Sequence, residues 1–162
     1  MTGQGQGVAA TRVVIAEDEA IIRLDLKELL QEEGYDVVGE TGRGDEAVDL
    51  VRDLDPDLAI LDIKMPGMDG LTAARHIAAE RRAAVLILTA FSQRDLIEQA
   101  RDAGALAYLV KPFQKSDLIP AIEVALGRFA ELVALEKEVG DLGERLTMKA
   151  VAQQVIDGTL TP

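Results

Sequence analysis

The 162-residue chain contains no cysteine and no tryptophan, and it has a single histidine. The absence of cysteine excludes disulfide bonds, thiolate metal sites and cysteine nucleophiles, and it fits a cytoplasmic protein. With only two tyrosines and three phenylalanines, any core must be built from aliphatic side chains. No apolar run approaches the ~20 residues that a membrane-spanning helix requires. We therefore expect a cytoplasmic protein that has no membrane partner.

Positive charge is also scarce, because the formal net charge at pH 7 is −12. A strongly acidic chain is not passively attracted to nucleic acids or anionic lipids, and no concentrated basic patch offsets this. The first residues, 1–10, are polar and rich in glycine. This composition predicts a disordered leader.

From residue 11 onward, short apolar runs alternate with longer amphipathic segments. The apolar runs predict five strands, Arg12–Ala16, Tyr35–Glu40, Leu58–Leu61, Ala84–Leu88 and Ala105–Val110. The amphipathic segments predict five helices, Ala20–Glu32, Gly44–Leu54, Asp69–Glu80, Gln93–Ala103 and one that begins at Ser116 and continues well past residue 130. Alternating strands and helices imply an α/β fold with a parallel sheet covered on both faces. At this size a flavodoxin-like strand order, (βα)5, is expected.

Charged and hydroxyl side chains follow the predicted strands at their carboxyl ends, where open α/β sheets bind ligands. Three carboxylates, Glu17, Asp18 and Asp62, would meet at this edge, and they would repel one another strongly without a cation. Oxygen ligands without histidine or cysteine favour a hard ion such as Mg²⁺. Thr89 and Lys111 would add a hydroxyl and a cation suited to a phosphoryl group. Asp62 would then be the nucleophile that accepts it.

These residues together resemble the receiver domain of two-component response regulators, over residues 11–127. The resemblance is carried by the acidic pair and by three short motifs, namely Glu17-Asp18, Asp62 in LDIKMPGMDG, Thr89 in LTA, and Lys111-Pro112-Phe113 in VKPF. It implies a signalling switch rather than an enzyme. The only chemistry would be phosphorylation and self-dephosphorylation at one aspartate.

The resemblance also implies a role for each matching residue. Asp62 would accept a phosphoryl group from a sensor histidine kinase, and Lys111 would pair with that group. Mg²⁺ would be held by Glu17, Asp18, Asp62 and the backbone carbonyl of Lys64. Thr89 and Tyr108 would act as the switch, with the ring turning inward when the hydroxyl engages the phosphoryl group. The Lys111-Pro112 bond is expected to be cis, which is readily adopted only before proline.

Alternative interpretations of these residues remain open. A haloacid-dehalogenase-type phosphatase also uses an aspartate after a strand, but that family has a second aspartate two residues later, where this chain has Lys64. Tyr108 could simply be an aromatic residue at a strand edge. His76, the one histidine, is expected to be an exposed helix residue.

The sequence changes character after Gly127. Apolar residues recur at intervals of three and four with charged residues between them, which predicts a coiled-coil helix over residues 128–146. We expect a homodimer through residues 122–146, in parallel or antiparallel orientation. The alternative is a helix that folds back onto its own receiver domain.

The segments ALEKEVGDLGERL and LTMKAVAQQVI resemble two ends of an ANTAR module, the RNA-binding output of transcription antiterminators. They meet directly at Leu146-Thr147, so residues 147–162 would be the remnant of an incomplete module. Residues 128–162 contain four Lys/Arg and six Asp/Glu, so RNA hairpins are expected partners only if the module is complete. No RNA-binding residue can be assigned. The alternative output is coiled-coil dimerisation or protein docking without RNA.

Overall fold

The computed structural model describes the backbone of residues 10–90 and 94–157, and side chains in those ranges up to residue 138. Five strands form one sheet: β1 (Arg12–Ala16), β2 (Asp36–Thr41), β3 (Leu58–Asp62), β4 (Ala84–Thr89) and β5 (Ala107–Val110). Five helices alternate with them: α1 (Ala20–Glu32), α2 (Gly44–Leu54), α3 (Gly70–Ala79), α4 (Arg94–Asp102) and α5 (Lys115–Asp157). The predicted α/β alternation is confirmed.

All the strands are parallel, and their order in the sheet is β2-β1-β3-β4-β5. This is the flavodoxin-like order that the sequence predicted. The central strands β3 and β4 are buried along their whole length. Their near-continuous apolar runs reflect helices on both faces, because neither face of such a strand meets water.

Two apolar clusters lie on opposite faces of the sheet. Successive strand side chains point to opposite faces, so Val14 and Leu61 join one cluster while Val13 and Ile60 join the other. The first cluster includes residues of α2, α3 and α4, and the second includes residues of α1 and α5. Packing on both faces fixes the strand register, and with it the positions of the residues that follow each strand.

Two strands begin later than predicted, for the same physical reason. Gly34 and Gly104 have positive φ angles of 88° and 97° where a helix ends. The next amide in each case bonds back to the helix: Tyr35 N–H donates to the Leu30 carbonyl, and Ala105 N–H donates to the Ala100 carbonyl, both at 3.0 Å. These amides close the helix ends and do not pair in the sheet. β2 therefore begins at Asp36, and β5, whose Leu106 N–H already donates to the Val85 carbonyl of β4 at 2.8 Å, is regular from Ala107.

Contacts divide the chain into two units, residues 1–129 and 130–162. Helix α5 begins at Lys115 and includes the predicted coiled-coil segment, residues 128–146, whose pairing with a second copy stays a prediction. Most of the predicted leader, residues 1–10, lies outside the described residues, as does Gln93 of the predicted fourth helix. In the portion of the chain that is described, no helix combines the length and apolarity needed to cross a membrane.

Candidate functional site

Three carboxylates meet at the carboxyl edge of the sheet. Glu17 and Asp18 follow β1, and Asp62 ends β3. One oxygen from each lies within 4.8 Å of the others. Glu17 is fully buried and Asp62 is 6% exposed, whereas Asp18 faces solvent. The predicted convergence of these three side chains is therefore present in the structure.

The Lys111 ammonium group lies between two of the carboxylates. Its Nζ donates to Asp62 Oδ2 at 3.2 Å and makes a shorter contact with Glu17 Oε1. The second oxygen of Glu17 accepts the Glu19 backbone N–H at 3.1 Å. Asp62 Oδ1 accepts the Ile63 backbone N–H at 2.8 Å. Each buried carboxylate thus has one oxygen bonded to the backbone and one facing the same cation.

Charge and burial act in opposite directions on the ionisation of this cluster. Burial, followed by the negative charge of Glu17, raises the pKa of Asp62 to about 6, although Lys111 opposes the rise. For Lys111, burial pulls the pKa down, but the hydrogen bond to Glu17 and the charge of Asp62 outweigh it and leave the pKa raised. One ammonium group therefore compensates two carboxylates only in part. The site attracts additional positive charge.

The loop after β3 is held by backbone contacts that exclude larger residues. Gly70 N–H donates to the Ile63 carbonyl at 2.7 Å, and a Cβ at Gly70 would lie 1.8 Å from the Asp62 carbonyl oxygen. Asp69, the residue immediately before α3, caps this helix by accepting the Thr72 N–H at 2.8 Å. The Pro-Gly turn in this loop includes Gly67, whose φ of 80° suits glycine. These contacts fix the backbone on both sides of the loop that begins at Asp62.

The remaining predicted site residues surround the carboxylates. Thr89 is 1% exposed at the end of β4, and its carbonyl accepts the Lys111 N–H at 2.7 Å. Tyr108 of β5 is partly exposed and lies opposite Ile87 of β4, and burial raises the pKa of the Tyr108 hydroxyl. Lys64 lies in the loop after β3, where it lines an open cleft of about 620 Å³ together with Asp18. The Lys111-Pro112 bond is cis, as the resemblance implied, and His76 is exposed.

Sequence reasoning missed two residues that support the acidic loop, which is formed by residues 17–19 between β1 and α1. Thr41, buried at the end of β2, accepts the Glu17 N–H through its carbonyl at 2.9 Å. Arg23 of α1 donates from Nη1 to the Glu17 carbonyl at 2.6 Å. Neither belongs to a motif in the sequence. The only signal for Arg23 is a cation in the first turn of a helix that follows three acidic residues.

The donor set suits Mg²⁺. Its carboxylate oxygens are hard ligands that lie close together, and the exposed side of Asp18 leaves room for the waters that Mg²⁺ keeps. Two of the three carboxylates are buried and short of positive charge, so a dication would relieve their repulsion. Glu17, Asp18 and Asp62 are thus chemically able to hold this ion.

Comparison with known proteins supports the same interpretation. The profile of the response regulator receiver domain matches residues 13–123. The transcriptional regulatory protein PdtaR of Mycobacterium tuberculosis is 58% identical over 153 residues, which cover 94% of this chain and 75% of that protein. The chemotaxis protein CheY of Thermotoga maritima is 38% identical over 112 residues, covering 68% of this chain and 93% of that protein.

Solved structures show the same fold. The signal receiver domain of NarL from Mycobacterium tuberculosis matches with a TM-score of 0.71 at 29% identity, covering 74% of this chain and 98% of that one. The CheX–CheY complex with beryllofluoride and magnesium from Borrelia burgdorferi matches with a TM-score of 0.66 at 25% identity. That match covers 69% of this chain and 86% of the other.

Proposed function

The chain belongs to the response regulator receiver family, and from this premise we propose that Asp62 is its phosphoacceptor in a two-component phosphorelay. Receiver domains are signalling switches, so the proposed chemistry is limited to gain and loss of one phosphoryl group. One observation carries the proposal: Glu17, Asp18, Asp62 and Lys111 come from three separate strand ends and meet at a single edge of the sheet. The proposed donor is a sensor histidine kinase.

In the proposed reaction, an Asp62 oxygen forms a P–O bond as the P–N bond to a phosphohistidine breaks. The imidazole leaves with its electron pair. Asp62 Oδ1 is already bonded to the Ile63 N–H, so Oδ2, which faces Lys111 at 3.2 Å, is the better-placed nucleophile. Lys111 would then bind an oxygen of the transferred group and offset its charge.

We propose that Mg²⁺ is held by Glu17, Asp18, Asp62 and the Lys64 carbonyl. When bound, this ion would supply positive charge to the transferring phosphoryl oxygens. The Thr89 hydroxyl, at the end of the neighbouring strand, is the proposed partner of the phosphoryl group after transfer. Tyr108 is the proposed second half of the switch, since the register places it on the strand beside β4.

The test uses acetyl phosphate as a small phosphoryl donor and beryllofluoride as a non-covalent phosphoryl mimic, neither of which requires the kinase. Intact-mass spectrometry of the wild-type chain with Mg²⁺ and acetyl phosphate should show one added phosphoryl group. Asp62→Asn should show none, and beryllofluoride should shift the amide NMR signals of wild type only. Equal modification of Asp62→Asn would overturn the assignment. Asp69→Asn is a matched control, because it alters a carboxylate in the same loop and keeps the oxygen that caps α3.

For the output, we propose an ANTAR-type, RNA-binding antitermination module that the receiver controls, with RNA hairpins as partners only where that module is complete. Support comes from the two ANTAR-like segments and from the likeness to a transcriptional regulatory protein. The proposed organisation is a receiver over 11–127, a coiled-coil helix over 128–146 that pairs in a homodimer, and an ANTAR-like remnant over 147–162. The proposed location is the cytoplasm.

Filter binding to hairpin RNA, with and without beryllofluoride, tests this output. Binding that depends on beryllofluoride and is lost in Asp62→Asn supports antitermination. If the chain dimerises but retains no RNA under either condition, the output is dimerisation or protein docking. Exposed apolar side chains at Val133 and Leu135 give that alternative a physical basis.

A further inference from the structure

The guanidinium group of Arg23 holds the acidic loop by its backbone, whereas Lys111 contacts the Glu17 side chain. Its Nη1 donates to the Glu17 carbonyl at 2.6 Å, and its Nε donates to Glu40 Oε1 at 3.3 Å. The Arg23 backbone N–H also donates to the Glu19 carbonyl at 2.9 Å. The residue therefore connects the start of α1, the loop after β1 and strand β2.

Glu40 anchors the outer end of this connection. Its other oxygen accepts from Lys27 Nζ at 2.7 Å, and this hydrogen bond, with the smaller contribution of Arg23, holds the pKa of Glu40 below its usual range. The carboxylate thus stays ionised and shared between two cations. Arg23 alone of the two cations reaches the acidic loop.

The backbone of Asp18 and the guanidinium group of Arg23 both pack against Gly42. A Cβ added at Gly42 would be 3.3 Å from Arg23 Nη1 and 3.3 Å from the Asp18 Cα. The loop after β2 therefore packs against both the guanidinium group and the metal-ligand backbone. A movement of Arg23 would leave Asp18 less constrained on this side.

Asp18 depends on this backbone support more than its neighbours do. The Glu17 carboxylate is fixed by Lys111 and by the Glu19 N–H, and Asp62 is fixed by the Ile63 N–H. Asp18 is exposed, so the position of its carboxylate follows mainly from its backbone. That backbone begins at the Glu17 carbonyl, the group that Arg23 binds.

We propose that Arg23 is a positioning residue for the divalent cation site. It holds the Glu17 carbonyl and thereby keeps the Asp18 carboxylate close to the carboxylates of Glu17 and Asp62. This inference rests on the proposed Mg²⁺ site. It adds a residue that touches neither the ion nor the phosphoryl group.

Charge and positioning make opposite predictions for Arg23. If the residue acted only as a charge, its removal would strengthen Mg²⁺ binding, because one cation near another is repelled. If it positions Asp18, its removal weakens binding. Lys27 is the matched control, since it places the same charge on the same carboxylate without reaching the Glu17 carbonyl.

The experiment measures Mg²⁺ affinity of the full chain by isothermal titration calorimetry. We expect Arg23→Met to bind Mg²⁺ about 10-fold more weakly than wild type, at the lower end of the effect of residues that orient metal ligands. Arg23→Lys keeps the charge, but its single ammonium group cannot bind the Glu17 carbonyl and Glu40 together as the planar guanidinium group does. This variant should therefore also bind Mg²⁺ more weakly. Lys27→Met should bind as wild type does or slightly more tightly.

A kinetic measurement separates a weaker Mg²⁺ site from a general loss of folded, reactive protein. With acetyl phosphate as donor, Arg23→Met should need a higher Mg²⁺ concentration for half-maximal phosphorylation, yet reach the wild-type rate at saturating Mg²⁺. Mg²⁺ affinity in Arg23→Met equal to or greater than that of wild type would overturn the inference. If Arg23→Met does not fold, unchanged affinity in Arg23→Lys overturns it instead. Failure of wild type itself to bind Mg²⁺ would refute the underlying function, which is a distinct result.

Discussion

The raised pKa of Asp62 predicts that this residue destabilises the Mg²⁺-free protein at neutral pH. Burial and the charge of Glu17 give Asp62 a pKa of about 6, against an ordinary value of 3.8. An acid with a raised pKa in the folded state contributes stability that is fully present below the unfolded pKa and is lost as pH rises through the folded pKa. The difference corresponds to about 3 kcal/mol of unfolding free energy, lost mainly between about pH 4 and pH 6.

Asp62→Asn removes this titration while retaining nearly the same shape. We expect the variant and wild type to differ little near pH 3, which lies below both the ordinary pKa of 3.8 and the folded-state pKa of about 6, so that Asp62 is mostly protonated in both states. Above about pH 7 the variant should be more stable by about 3 kcal/mol. The chain has no tryptophan, so far-UV circular dichroism during urea unfolding is the suitable assay. EDTA keeps both proteins free of divalent ions.

The difference between the two proteins, rather than either stability alone, isolates Asp62 from other groups. A difference that stays constant from about pH 4 to pH 7 would refute the reasoning, as would a variant that is less stable at neutral pH. Adding Mg²⁺ should stabilise wild type increasingly as pH rises through 6, because the ion needs the ionised carboxylate.

Three further changes test how the site is built, each by urea unfolding without Mg²⁺. Gly70→Ala would put a Cβ 1.8 Å from the Asp62 carbonyl oxygen, so we expect it to lower the unfolding free energy by about 3 kcal/mol. In Gly127→Ala, the new Cβ would meet nothing within 4 Å beyond the neighbouring backbone of α5, so this variant should instead stabilise the helix by about 0.5–1 kcal/mol. Similar effects from both variants would contradict the steric account. Asp69→Ala removes the cap of α3 and should lower the unfolding free energy by about 1 kcal/mol. Asp69→Ser keeps a capping oxygen and should retain most of the wild-type stability. Lys111→Met removes the ammonium group that faces the buried carboxylates of Glu17 and Asp62, so the unfolding free energy should fall by about 3 kcal/mol. A variant as stable as wild type would mean that the ammonium group is not needed there.

Much of this fold follows from local patterns in the sequence. The continuous apolar runs of β3 and β4 predict strands buried on both faces, and both are fully buried. Helices α1 and α2 have the predicted bounds, since Gly34 and Pro56 interrupt the pattern after each of them. The convergence of Glu17, Asp62 and Lys111 also follows, because it depends only on the parallel sheet and on where each strand ends.

The parts that could not be predicted depend on contacts between distant segments. Whether Tyr35 and Ala105 pair in the sheet or close a helix depends on hydrogen-bond competition at the helix end. The contacts of Arg23 with Glu17 and Glu40 depend on how α1 crosses β2. A periodicity argument places Arg23 only on the polar side of a helix. The packing of the chain shows that this side faces the acidic loop.

The central claim is that Asp62 accepts a phosphoryl group with the help of a divalent cation. The most direct measurement treats the wild-type chain with acetyl phosphate and Mg²⁺, reduces the acyl phosphate with borohydride, and locates the reduced residue by peptide mass spectrometry. We predict reduction at position 62 alone, and none when EDTA replaces Mg²⁺. Reduction at position 18 instead of 62, or equal labelling in the presence of EDTA, would contradict the account.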